Sequence, residues 1–188
     1  WRQCAVWMVV LALLQGKPAV LVLPTMREIE DMAETLQAIG LRPFAPTQSS
    51  NGAYDGDFAI LNAQMAPAER YRAYLAISGG QVRCVIGTRA AMYAPVDGNA
   101  LFLILDDVCY QDADGMMPYA NARGVLRLRA KSHNGVFVAM ANARSVQSQW
   151  ETDAAHVRAT QVSGFSTPIH AFPAVTKEAS PWIRWLNR

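Results

Sequence analysis

The chain is poor in the residues that announce a metal, a disulfide scaffold or a membrane anchor. Its 188 residues hold three cysteines, Cys4, Cys84 and Cys109, an odd count with no C-x-x-C spacing. That argues against a zinc knuckle or a disulfide framework, and buried reduced thiols suit a cytoplasmic protein. The three histidines, His133, His156 and His170, are scattered without ligand spacing, so no metal is expected. Charged residues make up only 17% and the formal net charge is +2, so any basic surface must be local. A membrane helix needs about 20 apolar residues; the run from Val6 to Leu14 is too short, and there is no secretion or targeting signal. Two glycine signatures are also missing. No G-x-x-x-x-G-K-S/T occurs, and Gly16-Lys17-Pro18 has only the Gly-Lys pair, followed by proline with no glycine upstream. It reads as a helix terminator. The glycine fingerprint of a dinucleotide-binding fold is absent as well. The chain opens on Trp1 rather than Met and reads as a fragment.

What is present is an apolar fraction of 52%, enough for a folded core in a chain of this length. The stretch from Val82 to Asp107 organises the rest. It runs Val82-Arg83-Cys84-Val85-Ile86, then Gly87-Thr88-Arg89, and later Leu101-Phe102-Leu103-Ile104-Leu105, then Asp106-Asp107. Short, continuous apolar runs closed by polar clusters mark strands buried on both faces of a parallel sheet. Ligands bind outside the carboxyl ends of such strands, so both clusters are expected on one functional edge, side by side.

Around this stretch, strand alternates with helix. Trp1–Gln15 reads as a helix, largely buried, and Ala19–Leu23 as a buried strand. Thr25 and Glu28 fit a capping box opening a helix that ends at Gly40. Arg42–Ala45 reads as an edge strand, Thr47–Gly56 as a loop and Phe58–Leu61 as a strand. The helix from Pro67 to Ser78 is expected to turn Glu69, Arg70 and Arg72 outward and Tyr71, Tyr74 and Leu75 inward. Val108–Pro118 reads as a loop, Tyr119–Lys131 as a helix, Gly135–Met140 as a strand and Ser145–Trp150 as a helical turn. Beyond Glu151 the pattern weakens. Val157–Val162 is a candidate strand, Gly164–Ser180 a loop and Pro181–Asn187 a short helix. The sum is one α/β domain of the RecA-like or Rossmann-like kind, with a mostly parallel sheet covered on both faces.

Three groups carry possible chemistry. Gly87-Thr88-Arg89 joins backbone amides, a hydroxyl and a guanidinium, which suits a phosphate; Thr88 capping a helix beside a solvated Arg89 is the structural alternative. Asp106-Asp107 would hold a metal or polarise water, or would be a solvated pair of turn carboxylates, which the commonness of aspartate in turns favours. Arg123, Arg127 and Lys131 recur every four residues on one predicted helix and form a basic face, solvated or phosphate-facing.

Leu61-Asn62-Ala63-Gln64-Met65 through Glu69-Arg70-Tyr71 and Tyr74-Leu75, followed by Val85-Ile86-Gly87-Thr88-Arg89-Ala90-Ala91-Met92-Tyr93-Ala94-Pro95, resemble the PriA family of primosomal replication restart helicases (primosomal protein N′), with its "VIGTRSALFxP" segment. The acidic strand end and Tyr119-Ala120-Asn121-Ala122-Arg123 resemble the family's "VDEEH" and "RYHAR" segments. The resemblance runs from about Ala19 to Trp150. It implies a P-loop NTPase-like, RecA-like first helicase lobe over residues 1–150 and, over 151–188, an extension toward a second lobe.

The departures bear on activity. Asp106-Asp107-Val108-Cys109 stands where the family has Asp-Glu-Glu-His, and Met140-Ala141-Asn142-Ala143-Arg144 where it has Gly-Ser-Ala-Thr-Pro. Counting back from Pro24 puts Trp1 and Arg2 at the phosphate-loop Lys and Thr. This erosion resembles the actinobacterial-type members. It implies DNA binding and primosome assembly at stalled forks without unwinding, with no catalytic residue and Asp106 and Asp107 as a degenerate acidic motif. By position, Gly87, Thr88, Arg89 and Arg123 are the implied DNA-binding residues. The expected partners are fork and single-stranded DNA and other primosome proteins, with no membrane. No cofactor is expected in this fragment, because the family's ATP, magnesium and zinc belong to regions absent or degenerate here. The rivals are an active ATP-dependent 3′–5′ helicase whose phosphate loop precedes Trp1, and a Rossmann-like small-molecule-binding domain.

Overall fold

A computed structural model describes residues 1–48, 52–110 and 120–153. The chain divides into two compact units, Trp1–Ala141 and Asn142–Arg188.

The first unit is built on five parallel strands: β1 (Ala19–Val22), β4 (Phe58–Leu61), β5 (Cys84–Gly87), β6 (Leu101–Leu105) and β7 (Val136–Met140), in the spatial order β4-β5-β1-β6-β7. Period-2 alternation sends successive side chains to opposite faces. Val20, Val22, Val85, Phe102 and Ile104 point to one face, where they meet α3 (Pro67–Ser78) and α4 (Ala122–Ser132). Ala19, Leu21, Cys84, Ile86, Leu101 and Leu103 point to the other, against α1 (Arg2–Leu14) and α2 (Met26–Ala38). The RecA-like α/β reading is therefore the observed fold. With both faces covered, β1, β5 and β6 are buried along their whole length, which is why they read as unbroken apolar runs. Burying a large side chain such as Phe102 or Leu103 is worth about 1.5–3 kcal/mol.

Several local expectations change. Arg42–Ala45, expected as an edge strand, lies at the sheet edge but makes only an isolated parallel bridge there, with bonds between Phe44, Arg42 and Phe58, and the regular strand begins later, at Ala45–Gln48. It forms β2 and pairs antiparallel with β3 (Tyr54–Asp55) in a separate ribbon, while Pro43 bridges Phe58. Arg42, bonded to Asp57 and Asp55, ties this segment down. Helix α1 is apolar after Arg2 and Gln3 but buries only Ala5, Val6, Val9 and Ala12. Trp7, Leu11 and Leu14, spaced on the opposite side, stay exposed, because a helix resting on a sheet covers one stripe. Helix α3 is rotated relative to the expected face. Ala73, Ala76 and Ile77 are buried, Tyr74 is half-buried, and Tyr71 and Leu75 face out; the small alanines let the helix lie close to the sheet. Helix α4 starts at Ala122, where the Asn121 side chain accepts from the Gly124 amide at 2.9 Å.

In the second unit, α5 covers Val146–Asp153. The candidate strand at 157–162, the loop at 164–180 and the terminal helix at 181–187 lie outside the described residues, as do His156 and His170. Among the described residues no helix is long and apolar enough to cross a membrane.

Candidate nucleic-acid interface

The strand register sets which residues share the carboxyl edge. Leu61 pairs with Gly87, Val22 with both Gly87 and Ile104, and Leu105 with Met140. Thr88 and Asp106 therefore emerge on one edge, as expected. They are not side by side, because β1 lies between β5 and β6, a gap of about 10 Å at ordinary strand spacing.

On the β5 side, the chain leaves Gly87 into a 3-10 turn, Arg89–Tyr93. Gly87 has a packing reason to be glycine: a Cβ there would lie 1.9 Å from the Leu61 carbonyl oxygen. Its own carbonyl accepts from the Leu23 amide at 2.8 Å. Thr88 stands at the N-cap position in extended conformation, but its side chain makes no capping bond. The hydroxyl is half-buried at the strand end and is not spent on the turn. Arg89 is half-buried beside it.

On the β6 side, the two aspartates part company. Asp106 adopts φ 51°, a left-handed conformation that aspartate tolerates better than most residues. Its amide donates to the Met140 carbonyl at 2.7 Å. This reversal turns Asp107 inward, into a second 3-10 turn, Asp107–Tyr110. Asp107 is 3% exposed and its carboxylate accepts from Arg123 Nη1 at 2.9 Å. The Arg123 guanidinium also lies 5.2 Å above the Phe137 ring. Asp107 is thus not a solvated turn carboxylate, and Arg123 is not on the solvated face of α4. Spacing by four still drifts around a helix, so Arg123 is buried, Arg127 half-buried and Lys131 exposed.

Two groups after β6 feel the charges at this edge. Burial pushes the Cys109 thiol up, helped by its hydrogen bond to Asp106 and the charges of Asp106, Glu28 and Asp107. Burial likewise pushes the Tyr110 phenol well above its ordinary range, while Arg89 pulls the other way. The Tyr110 hydroxyl has no hydrogen-bond partner among the described residues. Thr25 and Glu28 sit after β1. The Thr25 hydroxyl donates to the Glu28 carboxylate and does not accept from a helix amide, and this bond, with backbone amides, holds Glu28 below the usual carboxylate range. The charges of Glu28 and Asp106 thus act on Cys109, and Arg89 acts along with them on Tyr110. The Asp107 carboxylate is turned onto Arg123. Among the described residues, no three His, Cys, Asp or Glu side chains come together as a metal site.

One functional contender escaped sequence reasoning. Arg129 lies six residues after Arg123, off its stripe, and is half-buried. Its Nη1 donates to the Met92 carbonyl at 2.6 Å and its Nη2 to the Ala94 carbonyl at 2.7 Å. The same guanidinium lies 4.9 Å over the Phe102 ring. Burial lowers its pKa. Nothing in the spacing on α4 points to carbonyls 35 and 37 residues upstream.

The fold and this edge define a RecA-like α/β domain with a small-hydroxyl-cation segment at a strand end. No protein-family profile matches the chain. It is similar to the probable replication restart protein PriA of Mycobacterium tuberculosis, with 41% identity over 70 residues, or 37% of this chain and 11% of that protein. The corresponding proteins of Mycobacterium bovis and Mycobacterium leprae match over 70 residues at 41% and 40%, with the same coverage. The chain thus contains a PriA-related region, and the match spans only 11% of the length of these curated relatives.

Proposed function

We propose that this chain is the first lobe of a superfamily-2-like replication restart protein, and that its carboxyl edge binds the backbone of single-stranded DNA without powering unwinding. Gly87, Thr88 and Arg89 carry the contact, and the observation that supports it most is the Thr88 hydroxyl beside Arg89, half-buried at the strand end and not used as a cap. Gly87 lets the backbone run close, and the hydroxyl and guanidinium supply donors to a phosphate. Arg123 belongs in this reading to the Asp107 ion pair, not to the DNA. The same ion pair takes the acidic residue that would otherwise serve nucleotide hydrolysis. The PriA-related region points to stalled forks and other primosome proteins as the setting.

Arg89→Ala in the intact protein should weaken single-stranded DNA binding and lower the steepness of its salt dependence by about 0.7, the value for one lost phosphate contact on a single strand. Unchanged affinity across a salt series would overturn the DNA role of this segment. Calorimetric titration with magnesium and ATP tests the other half. Tight binding with DNA-stimulated hydrolysis would replace this reading with that of an active helicase.

A further inference from the structure

We infer that Arg129 is a positioning residue for the Thr88–Arg89 contact; this rests on the DNA reading of that segment. The segment that follows β5 is short and is held at both ends. At its start, the Gly87 carbonyl is bonded to Leu23 and its α-carbon sits against the Leu61 carbonyl. At its finish, the Ala94 amide closes the 3-10 turn on the Ala91 carbonyl and the Val96 amide donates to the Ala94 carbonyl at 2.8 Å, which leaves the Met92 carbonyl and the second lone pair of the Ala94 carbonyl for a side-chain donor. Arg129 bonds both, one from each terminal nitrogen. Carbonyls at the end of a helical turn lack partners within it, and a planar guanidinium fork meets two of them at once, which a lysine ammonium does not do with the same geometry.

Arg129 is itself held. Its guanidinium stacks on Phe102, in the fully buried strand β6. Helix α4, which carries it, is fastened at its first turn by Arg123 to Asp107. The turn bearing Arg89 is thus referenced to the central sheet through α4. Among the described residues no carboxylate forms an ion pair with Arg129. Its hydrogen bonds are spent on the backbone that presents Thr88 and Arg89. A residue that only filled the core would not need two charge-assisted bonds to one turn.

The test uses the intact protein and three variants: Arg129→Lys, Arg89→Ala and the double. Arg129→Lys keeps the charge and most of the packing. It should weaken single-stranded DNA binding about fivefold, and amide hydrogen exchange across residues 88–94 should speed up while the central strands stay protected. Arg129→Lys added to Arg89→Ala should cost little more than Arg89→Ala alone, because one acts through the other. Full additivity, or unchanged affinity and exchange in Arg129→Lys, would overturn the positioning role while leaving the DNA reading standing. No effect of Arg89→Ala would overturn both; faster exchange in Arg129→Lys would then report a fold contact alone. If Arg129→Lys lowers the melting temperature too far to assay, Arg129→Gln, which keeps two polar atoms, replaces it in the same cycle.

Discussion

The two polar clusters that end β5 and β6 look alike in the sequence, each a short polar stop after an apolar run. In the structure they differ in how much of their chemistry is already used. At the β6 end, Asp107 is buried and spends its charge on Arg123. At the β5 end, Thr88 sits where a cap belongs and does not cap. Their own charges differ as well: Asp106 and Asp107 close the former run and Arg89 the latter. At the β6 end the acidic residue serves as a buried ion-pair partner; in the proposed reading the β5 end is the docking position.

The contrast can be broken at either end. Asp107→Ala should have the largest effect, destabilising by about 3–5 kcal/mol, because it leaves a buried guanidinium without that carboxylate. Denaturant unfolding reads it, and a surface-like cost below about 1 kcal/mol would mean that Asp107 is not the support described. Gly87→Ala should cost about 3 kcal/mol, since the new methyl meets backbone that cannot move aside at 1.9 Å. Thr88→Val should behave oppositely. Stability should stay within about 0.5 kcal/mol, while single-stranded DNA affinity falls about tenfold through loss of one bond to a charged oxygen. A large stability loss in Thr88→Val would make Thr88 a support like Asp107 and dissolve the comparison.

The smallest effect is a titration. Glu28 has a folded pKa below its unfolded one. Its contribution to stability is therefore present above about pH 4.3 and is lost as pH falls through the folded value. Thr25→Val removes the largest cause and should return the Glu28 pKa toward the ordinary range in an NMR titration. No movement would mean that the Thr25 hydroxyl does not set that corner's charge.

Much of this was legible because it is local. The continuous apolar runs at Ala19–Val22, Cys84–Gly87 and Leu101–Leu105 betray strands buried on both faces, and Gly-Gly after Ser78 or Pro67 at a helix start act within a few residues. The faces of α1 and α3 were misread because composition does not say how closely a helix approaches its sheet. Ala73 and Ala76, not Tyr71 and Leu75, became the buried stripe.

The residue pattern alone settled the parallel α/β architecture, since continuous apolar runs and chain-local stops need no partner to be read. It also placed Thr88 and Asp106 on one edge, because parallel strands end together. Only the tertiary structure put β1 between the two clusters, turned Asp107 onto Arg123, and brought Arg129 to carbonyls 35 and 37 residues away. Those outcomes depend on strand order and on the desolvation of charge, and both arise from contacts between segments that the chain keeps far apart.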